Sequence, residues 1–225
     1  MLRPLWQNAK ELLLRSQQNN LMCRGGDKMN LLYWNLKSNK NEEYIALLIK
    51  EHSIDIAIFS EYSGTDFSTI THTLLSDAYQ LYQGYGGCEK VVMLAKKTIQ
   101  VEINREHSRY VLYSVISDSS KYIVAGTHLP SNPHTDADGR KMVIRELIAD
   151  LKEQEKIHKH SYSIIIGDLN ASPFDEELIQ KDAFNAVLYK EVIQNKSEIV
   201  YQHRKFRLLY NPALNHISET NHQYG

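Results

Sequence analysis

Cysteine is scarce in this chain. Cys23 and Cys88 are the two present in 225 residues, and neither sits in a metal-type spacing. That excludes a disulfide framework and points to a reducing, cytoplasmic setting. Proline is scarce too, with 5 residues, and no Pro- or Ser-rich linker divides the chain, so one domain is expected. No apolar run approaches the ~20 residues of a membrane-spanning helix. Leu12, Leu13 and Leu14 lie between polar residues with no small-residue cleavage pattern after them, so a signal peptide is not expected there. An excess of either charge is also missing. Lys+Arg 26 against Asp+Glu 27 gives a formal net charge of -1, so no global basic field advertises nucleic acid, although a local basic patch stays open.

What is present is ordinary globular material: 42% hydrophobic and 24% charged residues, enough for one sizeable core. The 14 tyrosines are numerous; most are expected in the core or lining a groove, and a few could stack on bases or sugars. Residues 1–28 read as an amphipathic helix or loose extension ending at Gly25-Gly26, and residues 29–225 as the domain.

The most informative stretch is SIIIGDLNASPFD, residues 163–175. Ile164, Ile165 and Ile166 form a β-branched run too short for a helix, and it reads as a buried strand. Gly167 breaks the side-chain series, Asp168 and Asn170 follow, and Pro173 stops the strand. A carboxylate and a carboxamide thus leave a strand end, the edge where open α/β sheets bind ligands. Such a pair suits a divalent cation, an oriented water or a phosphate oxygen. It equally suits an Asx turn leading into a helix near Asp175.

Three other strands end in the same way. MNLLYWN (29–35) ends on Asn35, and IDIAIFS (54–60) is followed by Glu61. The helix expected over 41–52, with Tyr44, Leu47, Leu48 and Glu51 at helical spacing, makes this a βαβ unit. If its strands are parallel, Asn35 and Glu61 reach one edge. After a short helix at 66–75, strands are expected at 79–83, 91–96, 99–103, 109–116 and 122–127. The turn Gly84-Tyr85-Gly86-Gly87 reads as a hairpin, because no helix and no Lys-Ser/Thr pair follow it. Arg109 opens its strand and could meet a phosphate; a plain surface arginine is the competing reading. His128 ends the strand YIVAGT and suits a general acid or phosphate contact, or a satisfied structural histidine. A long helix over 138–158 shows Met142, Val143, Leu147, Ile148 and Leu151 on one face. Beyond it, a short helix at 176–181, a mixed region at 183–194 and an apolar segment FRLLY (206–210) are expected.

With WN at Trp34-Asn35, SE at Ser60-Glu61, TH at Thr127-His128 and GDLN at 167–170 in this order, the chain resembles the endonuclease/exonuclease/phosphatase superfamily. The resemblance runs from about Met29 to about Asn215. It implies an α/β fold of two mixed β-sheets packed face to face with helices on the outer faces, a four-layer sandwich. It also implies a divalent-metal-dependent phosphodiesterase, nuclease-like, acting on a phosphate ester, with nucleic acid the leading substrate. By that resemblance Glu61 is the principal ligand of Mg2+ (or Mn2+) and Asn35 helps to hold the metal or phosphate. Asp168 orients or deprotonates the attacking water, Asn170 hydrogen-bonds a phosphate oxygen, and His128 sits by the leaving oxygen.

One departure from the family pattern stands out. The family's closing strands deliver a late Asp-His pair, yet no Asp follows Asp182, and none of His203, His216 and His222 is preceded by Asp. The expectation is a domain incomplete at its C-terminus, lacking the final strands of the second sheet. The alternative function is a catalytically inactive or truncated member serving as a binding module. A Ser/His/Asp hydrolase is a poor third reading, since no Gly-x-Ser-x-Gly elbow occurs.

Overall fold

The computed structural model describes residues 29–117, 120–131, 137–160 and 162–213. The expected extension at 1–28, the surroundings of His216 and His222, and most of the loop at 131–138 lie outside the described residues. The fold divides between Asn170 and Ala171 into two compact units.

The first unit carries the two main sheets. Strands β1 (Leu31–Asn35), β2 (Ile56–Ser60), β3 (Tyr79–Gln83) and β4 (Val91–Lys96) form one sheet in the order β1-β2-β4-β3. Strands β5 (Gln100–His107), β6 (Tyr110–Ser117), β7 (Ser120–His128) and β8 (Ser163–Asp168) form the other in sequence order. Both sheets are mixed. β1 and β2 are parallel through the crossover helix α1 (Glu42–Glu51), and β7 and β8 are parallel through α2 (Ala137–His158). The remaining neighbours are antiparallel. A π-helical segment, Thr69–Leu74, stands where a short helix was expected.

Packing follows from which side chains each strand presents to each face. Ile56, Ile58, Val91 and Met93 of the first sheet meet Val111, Tyr113, Val115 and Val124 of the second, forming a core between the sheets. The alternate residues of the first sheet, among them Leu32, Ala57, Phe59, Val92 and Leu94, pack on Ile45, Ala46 and Ile49 of α1. Because β2 is covered on both faces, all five of its residues are buried, which is why IAIFS reads as an unbroken apolar run. Ile144, Leu147 and Leu151 form the buried stripe of α2. Helix, sheet, sheet and helix give the expected α/β sandwich.

Three local readings are corrected. Helix α1 buries Ile45, Ala46, Leu48 and Ile49, while Tyr44 and Leu47 are exposed. Met142 of α2 is exposed, and Ile144 takes the place assigned to it. β8 is half-buried rather than buried, because among the described residues it pairs with β7 alone. Its Ile164 and Ile166 still pack against the core between the sheets.

The second unit is built of short pieces: α3 (Glu176–Ile179), β9 (Ala186–Val187), α4 (Lys190–Asn195), β10 (Glu198–Tyr201), β11 (Arg204–Arg207) and β12 (Leu209–Tyr210). β10 and β11 are antiparallel, joined by Gln202 and His203, both with positive φ. That pair of left-handed residues is the two-residue hairpin geometry that matches strand twist. The expected segment at 206–210 divides at Leu208, whose N–H donates to Ser197 O. β12 then turns away to pair in parallel with β9.

Candidate active site

Parallel pairing decides where the polar strand ends go. Asn35 lies opposite Ser60, so Asn35 and the following Glu61 leave the first sheet at the same edge. His128 lies opposite Asp168 in the second sheet. The side chains then meet across the two sheets. Asn35 Nδ2 donates to Glu61 Oε1 at 2.9 Å and to Asp168 Oδ2 at 3.3 Å. His128 Nε2 stands 3.3 Å from the same Glu61 Oε1. Four residues named from separate strand ends therefore form one cluster.

Backbone conformation holds the cluster in place. Glu61 has φ 50, a left-handed conformation that a long side chain adopts only under constraint. That constraint is visible. The Glu61 carbonyl accepts from Ser38 N–H at 2.6 Å, and Asn35 Oδ1 accepts from Lys37 N–H at 3.0 Å. Gly167 has φ 155, and a Cβ built there would lie 2.0 Å from the Thr127 carbonyl oxygen. The strand end bearing Asp168 can approach β7 this closely only without a side chain.

The two oxygens of Asp168 are engaged differently. Asp168 Oδ1 accepts from Asn170 N–H at 2.9 Å, which is the Asx turn. Oδ2 faces Asn35. Asn170, at φ 47, uses its own Nδ2 to donate to Leu129 O at 2.7 Å, while Leu129 N–H donates to Asp168 O at 2.8 Å. Asn170 thereby ties the loop after β8 to the loop after β7. Arg109 is not the first residue of a strand: it lies in the turn before β6, and its carbonyl accepts the His128 N–H at 2.9 Å. It positions His128 through its backbone.

Tyr33 and Ser60 were given no role from the sequence. The Tyr33 hydroxyl and Ser60 Oγ are 2.6 Å apart. Burial pushes the Tyr33 phenol above its usual range, reinforced by the Asp168 and Glu61 charges, although the Ser60 bond opposes it. Tyr33 is thus a neutral hydroxyl beside two acids. Its signal was available: Tyr33 and Asn35 are two positions apart on β1, so they share a face.

Among the described residues, Thr127 Oγ1 and His128 Nδ1 are buried here without a hydrogen-bond partner. Among the described residues no group of three or more His, Cys, Asp or Glu side chains is arranged to hold a metal ion. The late His203 lies in the β10–β11 turn of the second unit.

No curated protein matches this chain. Solved structures similar to it include the human Nocturnin catalytic domain, at 16% identity, TM-score 0.48 and 64% coverage of each chain. A hairpin-deletion mutant of beta toxin from Staphylococcus aureus matches at 16% identity and TM-score 0.46, over 76% of this chain and 73% of that one. TDP2 from C. elegans matches at 21% identity and TM-score 0.42, over 59% of this chain but 43% of that one, so the match spans less than half of the nematode protein. The sequence profile of the Endonuclease/Exonuclease/phosphatase family matches residues 32–212, a span that contains every residue of the cluster. On that match this chain belongs to the Endonuclease/Exonuclease/phosphatase family.

Proposed function

We propose that the protein is a divalent-metal-dependent phosphodiesterase of nuclease type, cleaving a phosphate ester by attack of water. The carrying observation is the convergence of the Glu61 and Asp168 carboxylates on the Asn35 amide nitrogen. Two carboxylate oxygens facing one point are donor chemistry that suits Mg2+ or Mn2+. The Asn35 N–H groups stand at the point where a cation would serve the same two acids. Mg2+ keeps several waters and needs only one or two carboxylates, so a larger acidic group is not required. Glu61 would be the principal ligand, helped by Asn35. When bound, the cation would neutralise phosphate charge and make a bound water more acidic.

The remaining roles belong to side chains already placed. Asp168 takes the proton of the attacking water on Oδ2, while Asn170 N–H fixes Oδ1. As the new P–O bond forms, the bond to the leaving oxygen breaks, and His128 supplies the proton that oxygen needs. The Asn170 amide offers a donor to a phosphate oxygen as negative charge develops. Nucleic acid is the proposed substrate. Glu61→Ala and Asp168→Ala are expected to abolish Mg2+-dependent cleavage of an oligonucleotide while the far-UV spectrum stays unchanged. Full activity in both variants would refute the assignment.

A non-catalytic binding module of the same fold is the second reading. It accords with the direct hydrogen bonds of Asn35 Nδ2 to Glu61 and Asp168, which give both acids a partner without a cation. Turnover that disappears with chelator would exclude it.

A further inference from the structure

Tyr85 is 96% exposed, which is anomalous for an aromatic side chain in a loop held by hydrogen bonds. The loop is Gly84-Tyr85-Gly86-Gly87, between β3 and β4. The Glu106 carboxylate of β5 grips it with both oxygens. Oε1 accepts from Tyr85 N–H and Oε2 from Gly87 N–H, each at 2.8 Å. The approach is close: a Cβ at Gly84 would lie 2.4 Å from Glu106 Oε2, and one at Gly87 would lie 2.7 Å from Glu106 Cβ. A carboxylate that accepts two backbone N–H groups makes charge-assisted bonds, roughly twice as strong as neutral ones.

The strand register puts this grip at the edge of the candidate active site. Val91, where β4 begins after the loop, lies opposite Ser60, the residue before Glu61. Gln83, where β3 ends, donates to the hydroxyl of Tyr62, the residue after Glu61. Glu106 lies one pair from the β5–β6 turn, and that turn's Arg109 carbonyl holds the His128 N–H. One carboxylate therefore joins the first sheet's loop to the second sheet at the end where Asn35, Glu61, His128 and Asp168 meet.

We infer that Glu106 is a positioning residue, holding the 84–87 loop so that Tyr85 stands as a fixed aromatic platform on which a base of a nucleic-acid substrate stacks. This rests on the phosphodiesterase reading and narrows it to nucleic-acid substrates, whose bases are separated from the cleaved ester by the sugar. Among the described residues none covers the Tyr85 ring, and fixing its backbone in advance lowers the ordering cost of stacking. Stacking tolerates any base, so the platform adds affinity rather than sequence choice.

The experiment compares two substrates, a single-stranded oligonucleotide and bis(p-nitrophenyl) phosphate, with Mg2+, and measures oligonucleotide binding by fluorescence anisotropy. Tyr85→Ala is expected to weaken oligonucleotide binding, and raise KM, by about tenfold or more. Tyr85→Phe retains the ring and is expected to match the wild type. Glu106→Ala is expected to reproduce the Tyr85→Ala loss, with Glu106→Gln in between because one acceptor oxygen remains. Adding Glu106→Ala to Tyr85→Ala should cost nothing further. None of these variants should change turnover of the small ester at saturation. Unchanged oligonucleotide binding in Tyr85→Ala, or a further loss in the double variant, would overturn the inference while leaving the phosphodiesterase reading intact. Absence of small-ester turnover by the wild type would instead count against the reading itself, and tenfold-weaker oligonucleotide binding by Tyr85→Ala would still support the platform. Glu106→Ala also tests folding, and Tyr85→Ala, changing an exposed side chain, carries the test if that variant is unstable.

Discussion

The Asn35 amide nitrogen lies 3.3 Å from Asp168 Oδ2 across a separation of 133 residues, joining the ends of two different sheets. This nitrogen is also 2.9 Å from Glu61 Oε1, so it is the shared donor for both acids. Replacing Asn35 with Leu preserves bulk and removes that donor. Hydrolysis of bis(p-nitrophenyl) phosphate is expected to fall about 100-fold, as for loss of one preorganised polar group in a site. A steady-state kcat within twofold of the wild type would show that the amide is incidental.

Gly167→Ala tests the close approach beneath Asp168. The added Cβ would meet the Thr127 carbonyl oxygen, part of the β7 backbone, at 2.0 Å and Thr127 Oγ1 at 2.4 Å. A loss on the order of 3 kcal/mol in urea unfolding is expected, in the range for an incompatible backbone conformation with a clash. An unchanged midpoint and slope would contradict the packing described.

Tyr79 gives a prediction at alkaline pH. Its hydroxyl donates to the Ile54 carbonyl at 2.6 Å, and burial, aided by the Asp55 charge, pushes the phenol up to about 12. The folded state therefore keeps the proton that the unfolded chain releases near pH ~10. The contribution is fully present below pH ~10 and is lost as pH rises toward the folded value. Tyr79→Phe should cost roughly 1 kcal/mol at neutral pH through the lost hydrogen bond. It should also flatten the decline in stability between pH 10 and 12. Parallel stability curves for the two proteins would refute the assignment.

The strand ends were legible because each apolar run stops at a polar residue, and parallel pairing brings such ends to one edge. Glu61 shows this well: it follows five buried residues, and its position needed no knowledge of side-chain contacts. The buried face of α1 was not legible. Residues 44–49, YIALLI, are apolar at every position, so periodicity cannot select Ile45 and Ile49 over Tyr44 and Leu47; the sheet makes that choice. The β10–β11 hairpin lacked a turn signal, because Gln202 and His203 hold positive φ without the usual Asn or Gly. Tyr33 escaped notice because a tyrosine in an apolar strand looks like core. Its polar role depends on Ser60, a residue of the neighbouring strand. The grip of Glu106 on the 84–87 loop was hidden for the same reason, since the carboxylate and the amides it binds lie 21 and 19 residues apart.

The central claim is that Asn35, Glu61 and Asp168 form a cation-dependent site for phosphate-ester hydrolysis. The most direct measurement is the rate of bis(p-nitrophenyl) phosphate hydrolysis by chelator-treated protein as Mg2+ is restored, with Glu61→Gln run in parallel. The account predicts no turnover in chelator, saturable recovery with Mg2+ in the wild type, and no recovery in Glu61→Gln. Turnover that survives chelator, or equal recovery in Glu61→Gln, would contradict it.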